Sequence, residues 1–154
     1  MINETKFKEL ADKRGRHLTS IFIPTNRTNQ EQKDQIRLKN ALKSAKEKLM
    51  ASGLTDEEAR KQLKPASALL EDSQFWNHLS DGLAIFIAPE LFHTEQVPVK
   101  FDAYEYVGDH FYLRPLLPLL NNKDRFFLLA VSLKEVRFFE GHQYSITPVD
   151  IDDL

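Results

Sequence analysis

The sequence predicts an α+β fold in two layers: a helical hairpin packed on a small mixed or antiparallel sheet, followed by a C-terminal β-meander. Three observations carry that expectation. Residues 18–23 and 83–88 are apolar runs, each closed by a proline (Pro24, Pro89), the usual form of buried strands and their exits. Between them, Leu38, Leu42, Ala45 and Leu49, then Ala59, Leu63, Ala66 and Leu70, recur at steps of three and four, which places each set on one face of a helix. From Phe126 onward, three strand-like runs follow one another across short polar joints.

Along the chain, Phe7, Leu10 and Ala11 share a face of a short leading helix over residues 4–13, with Gly15 as its stop. Residues 25–30 form a polar loop, and residues 31–51 a helix of about five turns. Ser52-Gly53 ends that helix, and Thr55 with Glu58 has the capping-box spacing that starts its partner. Pro65 lacks an amide donor and is expected to kink or split the second helix. Ser80-Asp81-Gly82 reads as the turn into the 83–88 strand, which is expected to pair beside 18–23. Residues 91–97 and 101–107 read as further strands, with Pro98 favouring an edge. Asp109 is the expected cap of a short helix over 111–120, in which Pro115 and Pro118 limit regularity. The meander comprises residues 126–132, 136–140 and 143–149. Three such strands are marginal alone, so the chain is expected to be a truncation, able to form a homodimer through the exposed C-terminal strands.

At 154 residues, with 42% hydrophobic and 29% charged, the chain has the composition of a folded domain, and global disorder is excluded. Cysteine is absent, which removes disulfides, thiol nucleophiles and cysteine-ligated zinc or iron-sulfur sites. No apolar run reaches membrane-spanning length, and the first twenty residues are charged. A cytoplasmic protein without a membrane partner is expected. Charge is uneven: residues 1–64 carry 15 Lys+Arg against 9 Asp+Glu, or +6, and residues 65–154 carry 6 against 14, or -8. Such asymmetry can mark a polyanion-facing end, and the solvated surface of a helical hairpin is the commoner cause.

Four segments in order, 19–24, 36–42, 81–86 and 107–126, resemble the archaeo-eukaryotic peptide-chain release factors and their Pelota relatives, in particular a bacterial branch. The stretch Val107-Gly108-Asp109-His110-Phe111-Tyr112-Leu113-Arg114-Pro115-Leu116-Leu117 is similar to that family's link into its central domain. The resemblance implies that residues 1–122 form a release-factor-like N-terminal domain and that 123–154 open a ribonuclease-H-like central domain as a β-meander. The family's Gly-Gly-Gln hydrolysis loop occurs nowhere in this chain. Where stop-codon readers carry Asn-Ile-Lys-Ser, this sequence offers Gln35-Ile36-Arg37-Leu38. The implied role is noncatalytic: a recognition domain that docks on the ribosome, tRNA or rRNA.

The nucleic-acid-binding candidates are Lys33, Arg37, Lys39, Lys43 and Lys46 on the long helix, with Arg14 and Arg16 flanking the first strand. With Lys48, the helix carries six cations against Asp34 and Glu47 between residues 33 and 48, a net +4. Lys39, Lys43 and Lys46 fall in one row, suited to sequence-independent phosphate contacts. The alternative is a solvated face with i, i+4 pairs such as Lys43 with Glu47. Arg27 is a possible extension of the patch. The five histidines are dispersed, with no i, i+4 pair, so no metal is expected. No nucleophile elbow, P-loop or dinucleotide fingerprint occurs, so no cofactor and no enzyme activity are expected. A hydrolase using Asp109, His110 or Glu95 is the weakest reading, and a protein-interaction module with no nucleic-acid role is the main alternative. The aromatic residues are expected mostly in the core.

Overall fold

The structure is a computed structural model that describes residues 2–28, 30–120, 126–142 and 145–150. It is α+β. Helices pack on a four-stranded antiparallel sheet, and a three-stranded antiparallel meander follows. The chain divides into two compact units, Met1–Pro115 and Leu116–Leu154. Residues 121–125, where the expected boundary at 122/123 falls, lie outside the described residues.

The first unit opens with α1 (Glu4–Asp12), whose N-cap Asn3 accepts a hydrogen bond from the Lys6 amide. Next come β1 (Leu18–Pro24), α2 (Glu31–Ala51) and α3 (Asp56–Ala68), then the single turn α4 (Ser73–Trp76). Three strands follow: β2 (Gly82–Ala88), β3 (Leu91–Val97) and β4 (Tyr104–Gly108). The sheet order is β3-β2-β1-β4. β1 and β2 run antiparallel with Ile21 opposite Ile85, and all of β2 is buried. Strands hidden on both faces need apolar side chains at every position, which explains runs without alternation.

One sheet face carries Ile21, Ile23, Leu83, Ile85 and Ile87 against Leu38, Ala41, Leu42, Ala45 and Leu49 of α2 and Ala59, Leu63 and Ala66 of α3. The other face is aromatic. Phe22 meets Phe86, Phe101 and Tyr112 edge-on at 5.9, 5.2 and 6.0 Å between centroids, and Phe86 meets Phe111 at 5.4 Å.

The helical hairpin forms as its sequence predicts. Gly53 takes φ +116°, a left-handed conformation that costs glycine little. There the Gly53 amide donates to the Met50 carbonyl and the Leu54 amide to Leu49, which satisfies the end of α2. Thr55 and Glu58 make both capping-box bonds. α3 continues through Pro65 to Ala68 and then tightens into a 3-10 turn at Leu69–Glu71.

Two expectations are corrected. The strand expected over 101–107 forms instead over Tyr104–Gly108, and Phe101 is buried against Phe22 outside it. Asp109 caps no α-helix. Arg114–Leu120 is a 3-10 helix containing Pro115 and Pro118, whose missing amides cannot sustain an α ladder, and the Asp109 carboxylate accepts from His110 Nδ1 at 2.7 Å.

In the second unit β5 (Phe126–Val131), β6 (Val136–His142) and β7 (Ser145–Val149) form the meander in the order β5-β6-β7. Leu129 stands opposite Phe138, which stands opposite Val149. Among the described residues, no helix is long and apolar enough to cross a membrane.

Candidate nucleic-acid interface

α2 has three sides with different occupations. Its inward side is apolar apart from Asp34, which is 1% exposed at the helix start. A buried carboxylate requires partners, and Asp34 accepts from the Asn26 amide at 3.0 Å, from Asn26 Nδ2 at 2.9 Å and from Arg37 Nη1 at 2.9 Å. Arg37 also reaches the Pro24 carbonyl, so this candidate cation fastens the loop between β1 and α2. Asp34 lies four residues before Leu38 on the apolar stripe. That spacing was the available sign that it turns inward.

On the α3 flank, Lys46 Nζ lies 2.6 Å from Asp56 Oδ1, and Arg60 holds the other Asp56 oxygen at 2.8 Å. The hydrogen bond from Lys46, with Arg60 adding to it, keeps the Asp56 carboxyl below the usual carboxylate range. On the β4 flank, Lys48 donates to the Glu105 carbonyl and lies over the Tyr104 ring at 5.2 Å.

The crest between these flanks carries Lys33, Lys39 and Lys43. All three are exposed, and none has a hydrogen bond or ion pair among the described residues. The alternative Lys43–Glu47 pair is not formed. Ile36, 58% exposed, lies among them.

The remaining cations are elsewhere. Arg14 donates to the Ala11 and Lys13 carbonyls at 2.6 and 2.9 Å, closing the end of α1. Arg16 is exposed, with no ion-pair partner among the described residues. Both precede β1, at the end where His17 meets Ser52, the C-cap of α2, whereas Arg37 meets Pro24 at the other end. The 21 residues of α2 separate the two ends by roughly 30 Å. Arg27 is clasped by Asp81 at 2.9 and 2.8 Å, which raises the guanidinium pKa and lowers that of the Asp81 carboxyl.

The hydrolase candidates form two separate dyads, His110–Asp109 and His93–Glu95, each 2.7 Å long. Neither imidazole has a further hydrogen-bonded side chain among the described residues, so no oriented nucleophile stands beside either. Hydrogen bonding from His110 lowers the Asp109 pKa, with a smaller contribution from the charge of Arg14. No group of three potential metal ligands occurs among the described residues. Trp76, Phe86, Phe101 and Phe111 are buried, while Tyr104 and Phe92 are exposed.

No protein-family model matches the chain, and no curated protein matches it. A solved structure described as "Archaeal protein" is similar over 95% of this chain, with 15% sequence identity and a TM-score of 0.50. That likeness concerns the fold. The chain spans 42% of that structure's length.

Proposed function

We propose that this chain is a noncatalytic recognition module of a release-factor-like protein, which docks on ribosomal or transfer RNA through the α2 crest. The observation that carries the reading is the division of labour along α2. Lys46, Lys48 and Arg37 are consumed in holding the helix to its neighbours, while Lys33, Lys39 and Lys43 point outward uncompensated. Exposed ammonium groups on a rigid helix favour phosphate contact, because each contact releases condensed counterions. The ordered resemblance to release factors and Pelota supplies the choice of RNA.

Filter binding of tRNA and of ribosomes across a salt series tests this. Three phosphate contacts give a log–log slope of about -2 to -3. Lys39→Glu with Lys43→Glu flattens that slope and weakens binding. Asp56→Asn acts in the opposite direction, because it frees Lys46 and steepens the slope by about 1. A flat slope for the unaltered chain, or binding unchanged in the double variant, overturns the proposal.

A second reading, a protein-interaction module with no nucleic-acid role, is favoured by an open groove of about 720 Å³ beside α3. Leu54, Pro65, Leu91 and Phe92 line it together with His17 and Lys61. Retention of a protein partner that survives both salt and nuclease supports that reading against the first.

A further inference from the structure

We infer that the groove between α3 and the β2–β3 turn is a docking site for a tryptophan side chain carried by a partner polypeptide. Its volume is about 720 Å³, and His17, Leu54, Pro65, Pro89 and Phe92 are among the residues that line it. His17 immediately precedes β1 and takes φ +58°, a left-handed conformation uncommon outside glycine. Three hydrogen bonds hold it there. Its carbonyl accepts from Gln62 Nε2 at 2.6 Å and from Thr19 Oγ1 at 3.1 Å, and its Nδ1 lies 2.8 Å from Ser52 Oγ. Ser52 Oγ donates its one proton to the Leu49 carbonyl at 2.8 Å, so in its bond with His17 it accepts. The neutral imidazole therefore carries its proton on Nδ1. Its Nε2, without a hydrogen-bond partner among the described residues, is an acceptor.

The rest of the lining fixes the chemistry of the occupant. Leu54, Pro65, Pro89 and the exposed ring of Phe92 offer apolar surface, much of it flat. Glu58, Lys61 and Glu90 also line the groove, but all three are exposed, so charges of both signs stay in water and exert little pull on an ion. The groove therefore takes a flat, neutral, apolar group that donates to His17 Nε2. Indole answers this description: its N–H donates and it has no acceptor to desolvate, whereas a tyrosine hydroxyl or an amide also brings lone pairs that must leave water. Because the groove is open, a free indole would keep one edge wet, unlike a small ligand in an enclosed site. On a polypeptide that edge is where the side chain joins its main chain, which favours the polypeptide as the source. The inference names the partner chemistry for the groove of the second reading above and rests on that reading.

Titration of the 154-residue chain with N-acetyltryptophanamide, followed through amide chemical shifts by heteronuclear NMR, is the test. The expected result is a set of shifts centred on Leu54, Leu91 and Phe92, with a dissociation constant on the order of 1 mM. Methylation of the indole nitrogen removes the donor and weakens binding at least about threefold. His17→Asn keeps a residue at ease in the left-handed conformation and binds the two forms within about twofold of each other. That loss of discrimination is a readout that mere loosening of the groove would not move. Phe92→Ala, which removes an exposed ring and leaves the core intact, weakens the unmethylated probe at least about threefold. A capped pentapeptide with tryptophan between pairs of alanines binds at least about threefold more tightly than free indole. The inference is overturned by an absence of shifts at these residues up to about 20 mM probe, by a methylated probe that binds as tightly, by undiminished discrimination in His17→Asn or by unchanged affinity in Phe92→Ala. Free indole bound as tightly as the pentapeptide overturns the polypeptide as occupant. The titration contains no partner protein and no RNA, so a chain that retains a protein partner through salt and nuclease yet ignores the probe sinks this inference alone.

Discussion

The four-stranded sheet and the meander are built from the same kind of strand and end in opposite situations. β1 and β2 pair antiparallel, and their apolar side chains are covered by α2 and α3 on one side and by Phe101, Phe111 and Tyr112 on the other. β5 also pairs antiparallel, with β6, and is as apolar in sequence, yet Leu128, Leu129 and Val131, with Val136 of β6, are all exposed by 47% or more. The difference teaches that an apolar run specifies a strand but not its burial. Cover comes from other elements, and its energetic value is large only where water is removed from both faces.

The largest expected effect breaks this comparison directly. Phe86→Ala removes a fully buried ring and costs about 3–5 kcal/mol, whereas Leu129→Ala, already wet, costs less than about 0.5 kcal/mol. Urea melts of both variants check it, and equal losses would show that the two sheets are equally packed. A smaller effect sharpens the contrast at the sheet's entry. A Cβ at Gly82 would lie 2.2 Å from the Val99 carbonyl oxygen, which is backbone and cannot yield easily. Gly82→Ala therefore costs roughly 1–3 kcal/mol by overpacking. At Gly108 the obstructing atoms belong to the Tyr106 side chain, 2.7 Å away, so Gly108→Ala is milder in the same melts.

The smallest expected effect lies at the clasp between the β1 exit and the β2 entry. Asp81 has its pKa lowered from the ordinary 3.8 by the Arg27 hydrogen bond. A carboxyl depressed on folding contributes stability that is present above the ordinary value and lost as pH falls through the folded value. The pair is largely exposed, so the contribution is small. A slight drop in Tm below pH 3.8 that is absent in Asp81→Asn is the expected signature. An identical acid limb in both proteins would assign the loss to other groups.

Much of the fold was legible because it rests on local rules. The steps of three and four through Leu38, Leu42, Ala45 and Leu49 place the buried side of α2, and Thr55 with Glu58 marks the start of α3. The candidate interface was legible only in part. Spacing put Lys39, Lys43 and Lys46 in one row, but Lys46 turns to Asp56, a residue ten positions away whose approach depends on how the hairpin closes. Arg37 was legible as a cation and not as the partner of a buried carboxylate. Asp109 was legible as a cap residue, yet the helix it would have capped cannot form across two prolines.

By itself, the sequence determined the elements, the hairpin's caps and the cationic bias of the first 64 residues, since periodicity, glycine and proline placement and charge act within a few residues of chain. Which lysines stay free, which carboxylate is buried and which sheet is covered were decided only by tertiary structure. Those outcomes depend on distances between residues far apart in sequence and on the water excluded when separate layers meet.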